Sequence, residues 1–356
     1  MRNADLNTRA RSDALERQET VRGYYGEVLQ SNADLKTSAC CSPQALPKHL
    51  REVLNQIHPE VCARFYGCGS PIPPMLKGAT VLDLGCGSGR DCYLLSKLVG
   101  PEGRVLGVDM TAPQLEVAHR HRDYHAQAFG YRRPNVEFLL GDIADLRALG
   151  IADESVDVAV SNCVLNLAAD KRAVLAEIFR VLKPGGELYF SDVFADRRIP
   201  PELVRDPVLV GECLAGALYI EDFRRLVAEL GCLDARQCAH NPIILEDEEI
   251  ERKIGMVRFC SITWRVFKLS LEDRCEDYGQ IAIYRGDIPE HPHAFTLDGH
   301  HRFEPGKPIS VCGNTADMLS HTRYAKHFQV LGDKRVHYGL FDCAPAAVTA
   351  ASTGCC

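Results

Sequence analysis

Cysteines are the residues of this sequence whose chemistry most needs an explanation. The chain of 356 residues carries 16 of them, and its polar start has the pattern of neither a secretory signal nor a membrane anchor. We therefore expect a cytoplasmic protein, and in a reducing cytosol structural disulfides are disfavoured. No two cysteines have the C-x-x-C spacing of zinc ribbons or zinc fingers. Most of them, among them Cys275, Cys312 and Cys343, are expected to be small structural residues of the interior.

Four cysteines have contexts that a packed core does not explain. Cys68 stands between two glycines and just before a proline cluster, which predicts an exposed loop. Cys163 follows an apolar segment predicted to be a strand, and Cys213 precedes a predicted helix at residues 219–230. Cys40 lies in a polar segment bounded by proline. These four thiols come from four separate segments and could converge on one site.

The overall composition is that of an ordinary globular protein. Apolar residues make up 46% of the chain and charged residues 25%, and the formal net charge is -7. No basic stripe is interleaved with aromatic residues, so nucleic acid is not expected as a partner. No apolar run is long enough to span a bilayer, so no membrane contact is expected either. The length allows two or three domains.

The middle of the chain alternates predicted strands with predicted helices. The strands are Thr80–Leu84, GRVLGVD ending at Asp109, NVEFLLGD ending near Asp142, SVDVAVSNCVLN and ELYFSDVF. The first predicted helix runs from Arg90 to Leu98. The second has Thr111 as candidate N-cap and continues through HAQAF, and the third spans DKRAVLAEIFRVL and is stopped by Pro184 and two glycines. This alternation predicts an α/β fold with a parallel, doubly wound sheet. Ligands of such sheets bind at the carboxyl ends of the strands.

A glycine-rich turn follows the first strand, with the pattern Asp83-x-Gly85-x-Gly87-x-Gly89. A dinucleotide fingerprint would need a glycine where Arg90 stands, so a nicotinamide cofactor is not expected. The pattern resembles the first motif of class I S-adenosylmethionine methyltransferases, whose glycines let the backbone approach the methionine part of the cofactor. We therefore predict S-adenosyl-L-methionine as the cofactor and a Rossmann-like sheet of that class.

Acidic residues after the next two strands agree with this cofactor. Asp109 suits the two ribose hydroxyls, because a carboxylate accepts two hydrogen bonds without needing a proton. The resemblance places the adenine at Asp142 and Ile143. The predicted cofactor site also includes Cys86, Arg90, Met110 and Asn162.

The place expected for the transferred methyl carries sulfur instead of a base. Most methyltransferases put a general base there, because an acceptor oxygen or nitrogen must lose a proton. Soft thiolates prefer soft acceptors. Trivalent arsenic held by thiolates keeps a lone pair and has no proton to lose, so it needs only alignment with the methyl group.

At the level of whole segments, the sequence resembles the arsenite S-adenosylmethionine methyltransferases over most of its length. The matching stretches are YYGEVLQSNADLKTSAC, ARFYGCG, VLDLGCGSGRDCYLLSKLVG, LGVDMT, VSNCVLNL, LKPGGELYFSDVF and GECLAGALY. The resemblance implies that Cys68, Cys163 and Cys213 hold the arsenic. It also implies that Cys40 joins Cys68 in redox steps, and the adjacent Cys41 could take the place of Cys40.

The resemblance further implies the partners of the enzyme. The substrate would be arsenite or its glutathione adduct, with thioredoxin or glutathione as reductant, and we expect a monomer. Methylating the lone pair formally oxidises arsenic, so two electrons must be returned, and two nearby thiols can supply them by forming a disulfide.

Five regions are predicted along the chain. They are an N-terminal mobile segment with helices over the cofactor site at 1–60, the cofactor-binding domain at 61–200, an arsenite-binding domain at 201–270, a smaller C-terminal domain at 271–343 and a disordered tail at 344–356. Histidines and a carboxylate cluster in the segment HPHAFTLDGHHRF, which is predicted to be a solvated loop rather than a metal site.

Two other classes of function stay open from the residues alone. A methyltransferase acting on carbon, oxygen or sulfur would turn over without arsenic and would need a base. A non-catalytic, thiol-rich metalloid-binding protein would carry metal after purification and would not consume the cofactor.

Overall fold

The computed structural model describes residues 23, 47–65, 67, 71–204, 206, 209, 214–245 and 248–343. Of the four predicted site cysteines, Cys163 lies in this part, whereas Cys40, Cys68 and Cys213 lie outside the described residues, as does the tail at 344–356. Within the described ranges, no helix combines the length and the apolar character needed to cross a membrane.

The centre of the fold is a sheet of eight strands. They are β1 (Thr80–Leu84), β2 (Arg104–Asp109), β3 (Val136–Leu140), β4 (Val156–Asn162), β5 (Leu182–Ala195), β6 (Leu218–Tyr219), β7 (Ala235–Pro242) and β8 (Phe259–Phe267). Their order is β3-β2-β1-β4-β5-β8-β7, and β6 pairs with β5. Strands β1 to β6 are parallel, whereas β8 is antiparallel to both β5 and β7. The predicted parallel sheet is therefore confirmed for β1 to β5, and the predicted strand in RFCSITWRVFKL extends it as β8.

Helices cover both faces of this sheet. They are α1 (Lys48–Leu54), α2 (Pro59–Ala63), α3 (Arg90–Val99), α4 (Ala112–Arg120), α5 (Arg122–Phe129), α6 (Lys171–Val181), α7 (Ile220–Glu229) and α8 (Glu248–Ile254). Consecutive residues of β1 point to opposite faces: Val81 packs with Leu95 of α3, and Leu82 packs with Leu175 of α6. Burial on both faces explains why the strands are almost wholly apolar.

Two predicted helix boundaries were wrong. The predicted helix before the fifth strand ends at Val181, and Pro184 lies inside β5. A proline has no N–H to donate, so it does not fit a regular ladder of hydrogen bonds between strands. The pairing of β4 with β5 passes Pro184 through a register shift between Val156 and Val158. The helix predicted from Thr111 is two helices, which divide at His121.

A smaller unit follows the central sheet. Its strands are β9 (Glu276–Asp277), β10 (Gln280–Tyr284), β11 (Phe295–Thr296), β12 (Arg302–Phe303), β13 (Pro308–Val311), β14 (Phe328–Leu331) and β15 (Gly339–Leu340), and its helix is α9 (Gly313–Ser320). Its core is largely aromatic, with Tyr284, Phe295, Phe303, Tyr324 and Phe328 all buried.

The histidine-containing segment of this unit is not the solvated loop that was predicted. It contributes β11 and β12, and Asp298 between them is only 1% exposed. The Asp298 carboxylate accepts hydrogen bonds from the ring of His301 at 2.8 Å and from Arg236 of β7 at 3.0 Å. The segment is folded because it covers the buried Arg236 and adds a second carboxylate to the Asp234 that already pairs with it.

A buried ionic network joins the smaller unit to the central sheet. Glu187 of β5 is fully buried and forms ion pairs with Arg265 of β8 and with Arg323. Arg265 also donates to the carbonyl of Leu297 and, at 3.3 Å, to the hydroxyl of Tyr324. Burial opposes the charge of Glu187, but the two guanidinium groups hold the pKa of its carboxyl below the usual value.

We expect Glu187→Gln to lower the free energy of unfolding by about 3–5 kcal/mol, because it leaves the buried guanidinium group of Arg265 and the partly buried one of Arg323 without their counter-charge. The matched control is Glu137→Gln, which breaks an exposed pair with Arg104 and should change stability by about 1 kcal/mol or less. Urea unfolding followed by circular dichroism measures both variants. Similar small losses for the two would show that the buried network does not stabilise the fold.

Candidate active site

A cavity of about 250 Å³ lies at the carboxyl ends of β1 to β4. This edge is the topological switch point, because the chain proceeds from β1 to β2 and β3 on one side and to β4 and β5 on the other. The predicted cofactor residues that line the cavity are Asp83, Gly85, Cys86, Gly87, Asp109, Met110, Asp142, Ile143 and Asn162, together with Cys163. Gly89 and Arg90 do not line it, since Gly89 is the N-cap of α3 and Arg90 starts that helix.

The glycine-rich turn after β1 is shaped by close approach of the backbone. Gly85 has a φ of 71°, and a Cβ built on it would lie 2.3 Å from a methyl group of Val164. A Cβ built on Gly87 would meet no protein atom within 4 Å, so the space beside this residue is open. The turn therefore offers bare backbone to the cavity, as a cofactor that approaches the main chain requires.

Asp109 holds this turn against the end of β2. One carboxylate oxygen accepts the Gly87 N–H at 2.8 Å, and the other accepts the Thr111 N–H at 2.8 Å. Burial raises the pKa of Asp109, and these two backbone donors oppose that shift. The Thr111 hydroxyl and the Met110 N–H add to these donors, so the carboxylate is firmly anchored where it lines the cavity.

Asp83 plays a different part although it also lines the cavity. It is 3% exposed and accepts from the thiol of Cys92 at 3.2 Å. Burial, and then the nearby charge of Asp91, raise the pKa of Asp83 to about 8. Burial likewise raises the pKa of the Cys86 thiol to about 11. Asp83 is therefore mostly a neutral acid at neutral pH, and Cys86 is a neutral thiol.

The end of the cavity next to β3 combines a polar group with apolar ones. Asp142 accepts the N–H of Ala144 at 2.8 Å, which fixes the turn after β3. Ile143 is 9% exposed and lines the cavity beside it, and Leu167 lines the cavity as well. This arrangement fits a flat aromatic group with polar edges.

Cys163 directly follows β4 in a strained backbone conformation. Its φ is 59°, a region that a residue with a Cβ rarely adopts and that costs about 1–3 kcal/mol. The N–H of Cys163 donates to the carbonyl of Ser191 at 2.9 Å, which helps to hold this conformation. Cys163 is disulfide-bonded, and the nine other described cysteines are free thiols.

The segment before the sheet closes one side of the cavity with two residues, Arg64 and Phe65, that were not among the predicted site residues. Arg64 and Phe65 line the cavity, and the guanidinium group of Arg90 lies 3.0 Å from the centroid of the Phe65 ring. The hydroxyl of Ser88 donates to the carbonyl of Val61 at 2.9 Å and ties α2 to the glycine-rich turn. The available signal was the aromatic Phe65 within the ARFYGCG segment.

Further lining residues were also missed. Thr111 and Gln114 reach the cavity from the start of α4, which follows β2 directly. Asp91 accepts from the side-chain amide of Asn162 at 3.1 Å and pairs with Arg90 at 2.6 Å. Helix starts that follow sheet strands were the signal, because they must lie at the same edge as the strand ends.

The raised pKa of Asp83 predicts how stability depends on pH. The folded state keeps this proton up to about pH 8, whereas the ordinary value is 3.8. The folded state thus binds more protons in that range, so stability falls as pH rises toward 8. Asp83→Asn cannot ionise and should flatten this fall.

Urea unfolding at a series of pH values between about 6 and 9 measures this effect. Asp153→Asn is the control, because Arg180 lowers the pKa of exposed Asp153 and keeps it ionised throughout that range. Its pH profile should match that of the unaltered protein. An equally steep fall in Asp83→Asn would contradict the assignment.

Comparison with known proteins agrees with this geometry. Residues 76–231 match the family model of a methyltransferase domain, and residues 278–350 match that of the arsenite methyltransferase C-terminal domain. The arsenite methyltransferase of Aquipseudomonas alcaligenes is 56% identical over 347 residues, which cover 95% of this chain and 99% of the relative. The human arsenite methyltransferase is 45% identical over 89% of this chain and 85% of its own length.

A solved structure is similar over most of the chain as well. It is the crystal structure of an arsenic(III) S-adenosylmethionine methyltransferase from Chlamydomonas reinhardtii, at 50% identity and a TM-score of 0.81. The match covers 84% of this chain and 100% of that one. Both family models match in chain order, and the relatives are similar over most of this chain. The chain therefore belongs to the arsenite methyltransferase family.

Proposed function

We propose that the chain transfers methyl groups from S-adenosylmethionine to thiol-bound trivalent arsenic. One observation supports the proposal: residues beside the other two predicted arsenic ligands lie close to Asn162 or in the same hydrophobic cluster as Cys163. A Cβ on Gly67, next to Cys68, would lie 2.6 Å from the side-chain nitrogen of Asn162, which precedes Cys163. Leu214, next to Cys213, is fully buried in the same hydrophobic cluster as Cys163.

The cavity fits the cofactor, which supplies an electrophilic methyl group on a sulfonium. The open backbone at Gly87 receives the methionine part, and the Asp109 carboxylate, which lines the cavity, binds the ribose hydroxyls. Asp142 and Ile143 bind the adenine at the other end. The predicted contacts at Asp83, Gly85, Cys86, Met110 and Asn162 belong to the same proposal, and the neutral acid at Asp83 is suited to donate a hydrogen bond. Gly89 and Arg90, which do not line the cavity, shape the start of α3 behind the turn.

The substrate, arsenite or its glutathione adduct, exchanges its hydroxyl or thiol groups for protein thiolates. Cys163 presents its sulfur from a strained turn, Cys68 comes from the segment that closes the cavity, and Cys213 comes from the segment before β6. Three soft ligands match a soft trivalent acceptor. Its lone pair attacks the methyl group without a general base, so positioning supplies the catalysis.

Reduction of the product completes the cycle. Two electrons return to arsenic when two thiols, proposed as Cys40 or Cys41 with Cys68, form a disulfide, and thioredoxin or glutathione then reduces it. The disulfide at Cys163 must be reduced before its sulfur can bind arsenic. The predicted domain limits, monomeric state and cytoplasmic location belong to the same proposal.

We expect Asp109→Ala to weaken S-adenosylmethionine binding about tenfold to a hundredfold while arsenite binding persists. The variant loses charge-assisted hydrogen bonds to the cofactor, worth roughly 1.5–3 kcal/mol, and also the acceptor that anchors Gly87. Asp109→Asn keeps one acceptor oxygen, so its affinity for the cofactor should lie between those of the unaltered protein and of Asp109→Ala. Calorimetric titration of the cofactor measures all three proteins. An unchanged dissociation constant in Asp109→Ala would exclude this residue from the cofactor site.

A comparison of two substrates tests the roles of the thiols. Cys163→Ser should abolish methylation of both arsenite and monomethylarsenite, because a hard hydroxyl replaces a soft ligand. Cys68→Ser should impair methylation of arsenite far more than methylation of monomethylarsenite, because a monomethylated arsenic has only two positions left for thiolates. Speciation of the arsenicals formed with cofactor, glutathione and thioredoxin measures both steps.

Cys238→Ser is the control, since this half-buried thiol donates to the carbonyl of Leu297 at 3.5 Å and a hydroxyl can do the same. It should methylate both substrates normally. Equal losses of methylation on both substrates in Cys68→Ser would contradict its assignment as an arsenic ligand. Cofactor consumption that does not depend on arsenic would contradict the proposed function itself.

A further inference from the structure

Three cysteines of the smaller unit form a cluster far along the chain from the residues of the cavity. The sulfur atoms of Cys275, Cys312 and Cys343 all lie within 4.8 Å of one another. All three are free thiols. The expectation that they are structural residues of the interior does not hold for Cys343, which is exposed.

Three separate segments of the backbone hold this cluster. Strand β15 pairs with β9, and the N–H of Phe341 donates to the carbonyl of Cys275 at 2.7 Å, which sets Cys275 beside the segment of Cys343. Cys312 is the N-cap residue of α9. The side chain of Asn314 in that helix accepts the Glu272 N–H at 2.9 Å and donates to the Glu272 carbonyl at 2.8 Å, which fixes α9 against the segment before β9.

The charged groups beside the cluster are one arginine and two carboxylates. Arg236 donates to the sulfur of Cys312 at 3.8 Å and to the hydroxyl of Thr315 at 3.2 Å. Its guanidinium group also pairs with Asp234 at 2.6 Å and with Asp298 at 3.0 Å. Because two carboxylates face one arginine, the site does not favour a complex with additional negative charge.

The ligand set distinguishes between the soft ions that thiols bind. Structural zinc takes four ligands, and among the described residues the cluster contains three, all of them sulfur. A divalent zinc ion with three thiolates would carry one negative charge next to Asp234 and Asp298. Trivalent arsenic takes three thiolates, keeps its lone pair in the fourth direction and forms a neutral complex, which fits both the number of ligands and the local charge.

We propose that Cys275, Cys312 and Cys343 form a second binding site for trivalent arsenic, separate from the methylation centre. The choice of arsenic as the ligand rests on the proposed function. Arsenous acid reacts with the three thiols to form three arsenic–sulfur bonds, and three hydroxyl groups leave with the three thiol protons as water. No electrons are transferred. Entry requires no opening of the core, because Cys343 is exposed and Cys275 is half-buried.

The test uses the full-length, reduced protein and the double variant Cys275→Ser/Cys343→Ser. Both altered residues lie outside the buried core, and a single remaining thiol at Cys312 cannot hold arsenic tightly. Equilibrium dialysis with arsenite and elemental analysis should show about one bound arsenic per chain fewer in the variant. The control variant Cys238→Ser should bind as much as the unaltered protein. Alkylation mapped by mass spectrometry should show that arsenite protects Cys343 in the unaltered protein.

Activity measured alongside binding separates this proposal from the proposed function. The double variant should still methylate arsenite at a rate within about twofold of the unaltered protein, which also shows that it folds. Loss of bound arsenic together with retained methylation supports a second site. Unchanged arsenic binding, no protection of Cys343, or stoichiometric zinc at the cluster in the purified protein would overturn it. A protein that shows the second site but does not methylate arsenite would contradict only the proposed function.

Discussion

The parallel pairing of β1 with β4 is the constraint on which the rest of the structure depends. The register pairs Leu84 with Ser161, so the two chains leave the sheet side by side. One continues as the glycine-rich turn and the other as the turn that carries Cys163. Their approach is so close that a Cβ on Gly85 would overlap Val164. Since the order of strands reverses at this pair, a cleft opens there between the turns.

Polar groups then define the shape of that cleft. Asp109 draws the Gly87 N–H toward the end of β2, and Asn162 contacts both Asp91 and the backbone near Gly67. Each of these contacts joins two segments that are distant in sequence. Asn162 therefore supports both halves of the site, whereas Asp109 supports the glycine-rich turn alone.

The smaller C-terminal unit makes specific polar contacts with the central sheet. Glu187 binds Arg265 and Arg323, and Arg323 also donates to the carbonyl of Pro74, just before β1, at 3.1 Å. The unit thus contacts the central sheet on β5 and β8 and the segment leading into β1. A buried ionic network of this kind is sensitive to substitution, because loss of one partner leaves an uncompensated buried charge. The proposed second arsenic site lies within this unit, beside Arg236 of β7.

The sequence by itself determined the local elements and the chemistry of the turns. The apolar segment Thr80–Leu84 is a strand with the predicted ends, and the glycine pattern after it is a turn that lines the cavity, because both features depend on neighbouring residues. Only the tertiary structure decided where Pro184 would lie, since strand pairing across a register shift outweighed its tendency to end a helix. The same holds for the folded histidine segment, which buries Arg236, and for the cluster of Cys275, Cys312 and Cys343. Contacts between residues tens of positions apart leave no spacing pattern in the chain, so they emerge only when the packing is complete.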